Sequence, residues 1–557
     1  MKKNIPDLLT QITKDSLRDL NLESTLQEAM YLDVPSDSRF GDLSTNIALR
    51  LNKLTHKSPL ETAGDLVVNI IKYLEKSPLK VYIKEIKCEG AGFINFYLND
   101  NYFYEQLKDI ITKDNRALKT DIGRKRYALI EFVSANPTGP LSVAHARQAV
   151  VGDVLANILE FLGFRVKREY YLNDEGNQID ILGKSVELRL KELNGEKIEF
   201  PQNYYQGDYI YDIAKNSQSQ CEAKRSLPEG GRVTTSQYFS EFAVKYILDI
   251  IKKELKDFGI KFDYWYSQKK LRESGKIKKG LDLLKKKGFL YEKDGALWFK
   301  STQFGDDKDR VVVKSDGTYT YLAPDIAYHQ DKYKRGFNWL INLWGPDHHG
   351  YINRLKAAVQ ALGHNSESLS IIIVQLASIF REGKSIEMST RKGQYITLKE
   401  VLDEVGTDAS RFFFLMRRTS SHLDFDLDIA KKHTPENPVY YVQYAYARIC
   451  SILRNVEVSL KKDADLTLLK EKEEIGLIKK LMQFSYILNI CYKTVDPYML
   501  TVYLQELSEV FHKFYDLHRV LGEDQNLTKA RLALIEATRI VIACGLELLG
   551  VSRPEKM

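Results

Sequence analysis

Two separated segments carry the residue types that suit phosphate chemistry. The first, Ser134 to His145, reads Ser-Ala-Asn-Pro-Thr-Gly-Pro-Leu-Ser-Val-Ala-His, and the second, Met388 to Gly393, reads Met-Ser-Thr-Arg-Lys-Gly. A tight turn that opens a helix presents free backbone N–H groups and the positive end of the helix dipole to a phosphate. A mobile basic loop can close on the same anion. Together the two segments predict a nucleoside triphosphate as the ligand.

Within the first segment, Gly139 and its flanking prolines shape a close approach to the helix start, and His145 lies in the first turn. An imidazole there can follow charge onto a phosphate in a transition state. In the second segment, Arg391 and Lys392 can clamp a triphosphate, while Gly393 permits the backbone to move. The alternatives are a structural turn with a histidine in the capping region, and a solvent-exposed basic loop.

Polar side chains lie near the ends of predicted strands. Glu131 comes late in the first buried strand, Asn136 sits in the turn after it, and Tyr321 and Asp325 share one later segment. Carboxylates that face a cleft suit a guanidinium, because its planar fork donates paired, charge-assisted hydrogen bonds. The alternative for Asp325 is helix capping, since Asp is a preferred N-cap residue.

A helix near residue 440 shows two faces. Its apolar face contains Val442, Ala445, Ile449, Ile452 and Leu453, and its other face contains Tyr440, Gln443, Tyr444, Ala447 and Arg448. Because the first face can fill a core, the second is predicted to point outward, where tyrosines stack on unpaired bases and Arg448 pairs with phosphate. The alternative is that the tyrosines pack against a neighbouring helix.

The elements that must position these residues form an α/β pattern. Strands are expected at 127–133, 165–172, 339–344 and 371–374, with a helix at 143–161. Strand, helix, strand implies a parallel sheet, so we expect a Rossmann-like, doubly wound catalytic domain. We expect an N-terminal α/β module at 1–118, the catalytic domain at 119–433 with an insertion at about 176–290, and an all-α helical bundle at 434–557. Residues 215–237 of the insertion read as polar and poorly ordered.

Composition excludes several classes of protein. A chain of 557 residues exceeds one hydrophobic core, and 44% hydrophobic with 28% charged residues is typical of globular proteins. The N-terminus lacks the apolar region of a secretory signal, and no apolar run approaches the roughly 20 residues that span a bilayer. Five scattered cysteines without a CxxC pair favour the cytoplasm and argue against structural zinc. The net charge of +7 permits a polyanionic partner without requiring one.

These residues resemble a class I aminoacyl-tRNA synthetase, specifically an arginyl-tRNA synthetase, over nearly the whole chain. Ser134–His145 is similar to the family's S-x-N-P-T-G-P-L-H-V-G-H, which contains the HIGH signature, and Met388–Gly393 is similar to its variant KMSKS loop. Gly92–Phe96 resembles the signature of the family's N-terminal tRNA-elbow module. Further similar blocks lie at 169–178, 304–310, 321–328, 344–350, 421–426, 437–445 and 545–557.

The resemblance implies that arginine and ATP form arginyl-adenylate and pyrophosphate, and that arginine then passes to the 3′-terminal adenosine of tRNA(Arg). It implies arginine binding by Glu131, Asn136, Tyr321 and Asp325, and catalysis by His145, Arg391 and Lys392. The ATP-binding positions it implies are Pro137, Gly139, Ser142, His145, Gly345, Asp347, Met388, Ser389 and Lys392. For tRNA it implies Phe93 and Asn95 at the D-loop, with Tyr440, Tyr444 and Arg448 as candidates at the anticodon. Magnesium is expected to arrive with ATP, no metal motif of the protein's own is expected, and the chain is expected to be a monomer without a membrane partner.

Two departures from the family pattern bear on activity. Ser142 stands where the family usually has the first histidine of HIGH, and Ala144 stands where it usually has glycine. The main expectation is an active arginine–tRNA ligase. The alternative is a catalytically impaired paralogue that acts as an RNA-binding protein. A nucleotidyltransferase with a similar turn is disfavoured by the helical C-terminal region and the arginyl-specific blocks.

Overall fold

The computed structural model describes residues 5–20, 22, 32–35, 37–225, 235–386, 396–454, 456 and 464–557. The chain folds into two compact units, each assembled from separate stretches of sequence. The first contains residues 1–118, 448–486 and 506–542, and the second contains residues 119–447, 487–505 and 543–557.

The N-terminal part of the first unit is an antiparallel sheet with helices. Its elements are α1 (Ile5–Asp19), β1 (Leu43–Thr45), α2 (Ile47–Thr55), α3 (Pro59–Glu75), β2 (Ile83–Glu89), β3 (Phe93–Leu98) and α4 (Asp100–Lys113), with strand order β1-β3-β2. The α3 helix begins at a capping box, in which Ser58 accepts from the Glu61 N–H and Glu61 accepts from the Ser58 N–H. Fully buried Ile94 and Phe96 alternate along β3 and form its core face.

A five-stranded parallel sheet forms the centre of the second unit, as the sequence predicted. Its strands are β4 (Tyr127–Glu131), β5 (Arg165–Leu172), β6 (Tyr264–Ser267), β10 (Trp339–Trp344) and β11 (Leu369–Ile373), in the order β11-β10-β4-β5-β6. The earliest strand, β4, lies in the middle, and the chain order reverses between β4 and β10. A doubly wound sheet of this kind opens a crevice at the carboxyl ends of the strands, where that reversal occurs.

Helices and short strands complete this unit. The helices are α5 (Val143–Phe161), α6 (Asn177–Leu193), α7 (Tyr209–Arg225), α8 (Thr235–Asp257), α9 (Gln268–Glu273), α10 (Lys276–Lys286), α11 (Leu322–Lys334), α12 (Ile352–Leu362), α13 (Leu398–Phe414) and α14 (Leu427–Ala430). The strands β7 (Leu290–Lys293), β8 (Ala296–Phe299) and β9 (Arg310–Val313) form one small sheet, and β12 (Ala377–Arg381), β13 (Lys384–Ser385) and β14 (Leu423–Asp426) form another. The prediction of poor order at 215–237 is wrong at both ends, which lie in α7 and α8, and 226–234 lie outside the described residues.

The last part of the described chain is helical, as predicted. It contains α15 (Pro438–Arg454), α16 (Lys472–Thr494), α17 (Tyr498–Leu517) and α18 (Gln525–Leu549). On α15, the apolar residues Val442, Ala445 and Ile449 are fully buried, as expected. Gln443 and Ala447, which the two-face pattern placed outward, are also buried. Gln443 donates a hydrogen bond to Asp408 Oδ2 at 2.8 Å.

Candidate functional site

The chain turns sharply where β4 ends. Val133 and Ser134 have φ angles of 66° and 41°, in the left-handed region that a β-branched residue such as valine rarely adopts. The turn brings Ser134 back against the sheet, where its Oγ donates to Glu131 Oε1 (3.3 Å) and accepts from the Tyr171 N–H (3.0 Å). Strain of this kind persists where the surrounding structure fixes it, and is common at ligand sites.

The α5 helix starts directly after this turn. Ser142 is its N-cap residue, and the Ser142 N–H donates to His145 Nδ1 at 3.2 Å, with Ser142 Oγ 3.0 Å from the same nitrogen. Because Nδ1 accepts, the ring proton lies on Nε2, which is left as a donor. Burial lowers the pKa of His145 to about 4, so the imidazole is neutral at pH 7.

The residues that follow the basic loop pair with the start of α5. Thr397 forms an antiparallel bridge with Ser142, Val143 N donates to Ile396 O (3.3 Å), and Leu398 N donates to Leu141 O (2.8 Å). The segment 387–395 lies outside the described residues, and with it the predicted site residues Met388, Ser389, Arg391 and Lys392. Ile396 and Thr397, which directly follow that segment in sequence, therefore lie beside the helix that carries His145.

Other predicted nucleotide residues lie along the same crevice. Pro137 is buried and Gly139 partly exposed in the turn, and Gly345 follows β10, where a Cβ would lie 3.6 Å from Gln148 Nε2 of α5. Asp347, two residues on, is exposed. These residues flank the two sides of the strand reversal, between β4 and β10.

Three polar residues form a row across the carboxyl end of the sheet. In register, Glu131 of β4 lies beside Asn342 of β10 and Glu169 of β5, and all three are buried. The α11 helix meets this row with Tyr328, Lys332 and Arg335, which lie on one helical face at spacings of four and three residues. Tyr328 OH donates to Glu169 Oε1 (2.6 Å), and Arg335 donates to both Glu169 oxygens.

Glu131 forms a buried salt bridge with Lys332, whose side chain is fully buried. Lys332 Nζ also donates to Asn342 Oδ1 (3.2 Å), and Asn342 Nδ2 donates to His329 Nε2 (2.9 Å). His329 Nδ1 then donates to the main-chain oxygen of Asp325 (2.9 Å). Burial and the charge of Lys332 lower the pKa of His329 to about 3, which keeps this imidazole neutral.

Asp325 is not the N-cap of α11, which was the alternative to its predicted role in arginine binding. The α11 helix begins at Leu322, so Asp325 lies inside its first turn rather than at the N-cap, which is Tyr321. Tyr351 OH donates to Asp325 Oδ2 at 2.6 Å. Burial raises the pKa of Asp325 to about 6, and Tyr351 opposes that rise. Tyr321 is 82% exposed, and Asn136 Nδ2 donates to Gln178 Oε1 at 2.7 Å.

The residues predicted to meet RNA differ in exposure. Phe93 is 41% exposed, whereas Asn95 is buried, accepting from Ser44 Oγ (2.6 Å) and donating to Glu89 Oε2 (2.8 Å). On α15, the partly exposed rings of Tyr440 and Tyr444 stack with centroids 6.0 Å apart and planes within 8°. The Arg448 guanidinium lies over the ring of Tyr515, 4.8 Å from its centroid.

Sequence reasoning missed the polar residues of α11 and its neighbours. Of the sheet residues among them, Asn342 carried a signal, because it interrupts the apolar strand β10. The helical residues carried a weaker one, the spacing of Tyr328, Lys332 and Arg335 on one face. The residues missed are Glu169, Tyr328, His329, Lys332, Arg335, Asn342 and Tyr351.

The described residues contain neither a membrane-spanning helix nor a metal-binding cluster. No helix there combines the length and apolar character needed to cross a bilayer. No group of three or more His, Cys, Asp or Glu side chains among them is placed to hold a metal ion.

Three family models match the sequence. They describe the arginyl tRNA synthetase N terminal domain (residues 7–98), the catalytic domain of tRNA synthetases class I (R) (residues 106–418) and the DALR anticodon binding domain (residues 442–557).

Curated relatives match along their whole length. The arginine–tRNA ligase of Citrifermentans bemidjiense is 45% identical over 566 residues and 100% of both chains. The arginine–tRNA ligase of Carboxydothermus hydrogenoformans is 45% identical over 542 residues and 96% of both chains. Among solved structures, Thermus thermophilus arginyl-tRNA synthetase superposes with a TM-score of 0.79 over 100% of both chains at 20% identity, a similarity of fold alone.

Proposed function

The chain belongs to the class I arginyl-tRNA synthetases and is an arginine–tRNA ligase, and we propose that the carboxyl edge of its parallel sheet carries the reaction. One observation supports this assignment most directly. The carboxyl group of Glu131, at the end of β4, is linked through Lys332, Asn342 and His329 to the main-chain oxygen of Asp325, whose own carboxyl group lies in the first turn of α11. A guanidinium is the side-chain cation best suited to bind such carboxylates through paired hydrogen bonds.

In the arginine subsite, Glu131 and Asp325 accept hydrogen bonds from the guanidinium. Asn136, in the turn after β4, contacts the amino-acid end of the substrate, and its present partner Gln178 shares that contact. Tyr321, now 82% exposed, closes over the bound arginine. Each of these roles is inferred from the family and from the position of the residue at the crevice.

In the ATP subsite, the N-terminus of α5 binds phosphate, with Pro137 and Gly139 shaping the turn and Ser142 and His145 donating hydrogen bonds. ATP is further contacted by Gly345, Asp347, Met388, Ser389 and Lys392. Lys392 and Arg391 neutralise the departing pyrophosphate. Thr397, which follows the basic loop in sequence, pairs with Ser142 at the start of α5. This pairing supports the proposal that Arg391 and Lys392 reach the phosphate. Magnesium enters as the ATP complex, because it neutralises the triphosphate.

The remaining parts of the chain bind tRNA(Arg). Residues 1–118 meet the tRNA elbow through exposed Phe93, which the buried Asn95 supports from within β3, and residues 434–557 meet the anticodon arm through Tyr440, Tyr444 and Arg448. The enzyme works as a monomer in the cytoplasm, where free thiols such as Cys491 and Cys544 stay reduced.

ATP–pyrophosphate exchange with each amino acid, with and without tRNA, tests this function. Arginine should be the only amino acid that supports exchange, and tRNA(Arg) should be charged in the complete reaction. Tight tRNA binding without any charging would instead favour the impaired paralogue, and exchange with a second amino acid would contradict the assignment of the arginine subsite.

A further inference from the structure

Lys332 is a buried cation of the arginine subsite that the proposed mechanism does not use. Its side chain is fully buried, although lysine is rarely buried unless it is paired. Its ammonium has three donors, of which two go to Glu131 Oε2 and Asn342 Oδ1, and the group also lies 4.2 Å from the centroid of the Tyr328 ring. A buried lysine that is paired with a carboxylate proposed to bind the substrate requires an explanation beyond packing.

The hydrogen bonds that lead away from Lys332 all run in one direction. Lys332 donates to Asn342, Asn342 donates to His329, and His329 donates to the main-chain oxygen of Asp325. Every donor in this chain has its acceptor, and neutral His329 fits only as the Nδ1–H tautomer. The ammonium that pairs with Glu131 is therefore also connected, through Asn342 and His329, to the main chain of the helical turn that carries Asp325.

The charges around the subsite show what Lys332 supplies. The other titratable or charged groups near the two carboxylates are Tyr171, Tyr328, His329, Tyr351, Arg354 and the ion pair that Glu169 forms with Arg335. Burial raises the pKa of the three tyrosines and lowers that of His329, so all four are neutral at pH 7. Arg354 stacks over the Tyr351 ring, 4.7 Å from its centroid, and within the described residues only Lys332 is ion-paired with either carboxylate.

We propose that Lys332 is a positioning residue for arginine selection, which supplies one of the two cations that Glu131 and Asp325 require and leaves the second place for the guanidinium of the substrate. This inference rests on the proposed arginine subsite. Glu131 keeps acceptor capacity for the substrate, because its other oxygen, Oε1, receives only a long hydrogen bond of 3.3 Å from Ser134. Lys332 holds the Glu131 carboxylate and Tyr351 holds that of Asp325, so a planar guanidinium finds its acceptors already oriented.

Replacing Lys332 by methionine removes the charge and keeps a similar shape. Glu131 then loses its ion-pair partner, and its repulsion of Asp325 is no longer offset by the lysine, which favours the protonated form of Asp325. We expect Lys332→Met to weaken arginine binding at pH 7 about tenfold or more, the usual consequence of losing a charged hydrogen bond. Binding should also release more protons than in the unmodified enzyme, while KM for ATP changes little.

Isothermal titration of arginine into the full-length enzyme, in two buffers of different ionisation heat, measures both effects. Lys334→Met is the matched control, since Lys334 lies on the same helix but is exposed, and it should bind arginine normally. Lys332→Arg keeps the cation and should restore most of the affinity. Normal affinity and normal proton release in Lys332→Met would overturn the proposal.

Two further measurements separate this inference from the subsite on which it rests. If Glu131→Gln and Asp325→Asn leave arginine binding unchanged, the subsite itself is wrong. If they weaken binding and Lys332→Met does not, only the role of Lys332 fails. Should Lys332→Met not fold, Lys332→Gln takes its place in the titration, and normal arginine affinity in that variant contradicts the proposal.

Discussion

At the scale of single residues, the hydrogen bond that His145 accepts decides what it can do. Since its Nδ1 accepts from the Ser142 N–H and its pKa is lowered to about 4 by burial, it offers phosphate a neutral Nε2–H donor. His145→Ala should lower kcat for adenylate formation about 10²–10³-fold, as the loss of a preorganised donor does. Pyrophosphate exchange measures this, with Ser142→Ala as the milder control. An effect confined to KM for ATP would make His145 a ground-state anchor.

A second prediction at this scale concerns Asp325. Asp325→Asn should raise KM for arginine far more than KM for ATP, because its carboxylate accepts the guanidinium in the proposed subsite. In the unmodified enzyme the pKa of Asp325 is raised to about 6, so arginine binding should weaken as pH falls through 6 and be complete above about 7. Steady-state kinetics between pH 5 and 8 give both results. Equal rises in the two KM values would point to a scaffold role.

Residue types near strand ends revealed the carboxylates of the site but not their partners. Glu131 and Asp325 stand out because each lies where a predicted strand or helix meets the crevice. Lys332 is 201 residues from Glu131 in sequence, and nothing local distinguishes it from the exposed Lys334 two residues later. Pairings of this kind depend on how α11 crosses the sheet, which no sequence pattern specifies.

At the scale of elements, two helical glycines give a matched test of packing. A Cβ added at Gly152 of α5 would lie 2.3 Å from the Phe132 ring, whereas one added at Gly64 of α3 would meet nothing within 4 Å. Gly152→Ala should destabilise the protein by about 1–3 kcal/mol through overpacking. Gly64→Ala should stabilise it by about 0.5–1 kcal/mol, the usual gain for alanine within a helix. Chemical denaturation measures both.

The glycine test bears on the active site as well as on stability. Because Phe132 directly follows Glu131, displacement of α5 from Phe132 should also reduce arginine activation. Phe132→Leu combined with Gly152→Ala should recover part of the stability by making room for the methyl group. A Gly152→Ala protein as stable as the parent would show that α5 does not pack as closely on the end of β4 as the structure indicates.

Several elements of the second unit were predictable almost to the residue. The predicted spans 143–161, 165–172 and 339–344 match α5, β5 and β10. The polar segment 215–237 was not, since it is helical at both ends. A run of buried side chains fixes an element locally, whereas a polar helix is stabilised by tertiary partners that the sequence does not identify.

At the scale of the whole molecule, helical periodicity identifies apolar faces but not the neighbours that bury them. The helices α15 to α18 each divide between the two compact units. The main-chain oxygen of Leu549, the last residue of α18, accepts a hydrogen bond from buried Arg411 Nε at 2.8 Å, and Arg411 also pairs with Asp153 of α5. The three-part division at residues 118 and 433 stays a prediction, and so do the RNA contacts that it implies.

Those RNA contacts give the last prediction, since the proposed recognition of the anticodon by Tyr440 and Tyr444 would link the helical region to the function of the whole enzyme. Their parallel, partly exposed rings suit stacking on bases, so each change to alanine should cost about 1–3 kcal/mol of tRNA(Arg) affinity. Thermal stability should hardly change, whereas the control Tyr503→Ala, which empties a fully buried position, should lower it sharply.

Filter binding at several salt concentrations completes this test. An aromatic ring neutralises no phosphate, so the slope of log affinity against log salt should stay that of the parent enzyme in both tyrosine variants. The ATP–pyrophosphate exchange rate at saturating tRNA should also be kept, because the chemistry lies at the sheet edge. If Tyr440→Ala and Tyr444→Ala melt early and bind tRNA normally once folded, the two rings are packing residues and the anticodon is read elsewhere.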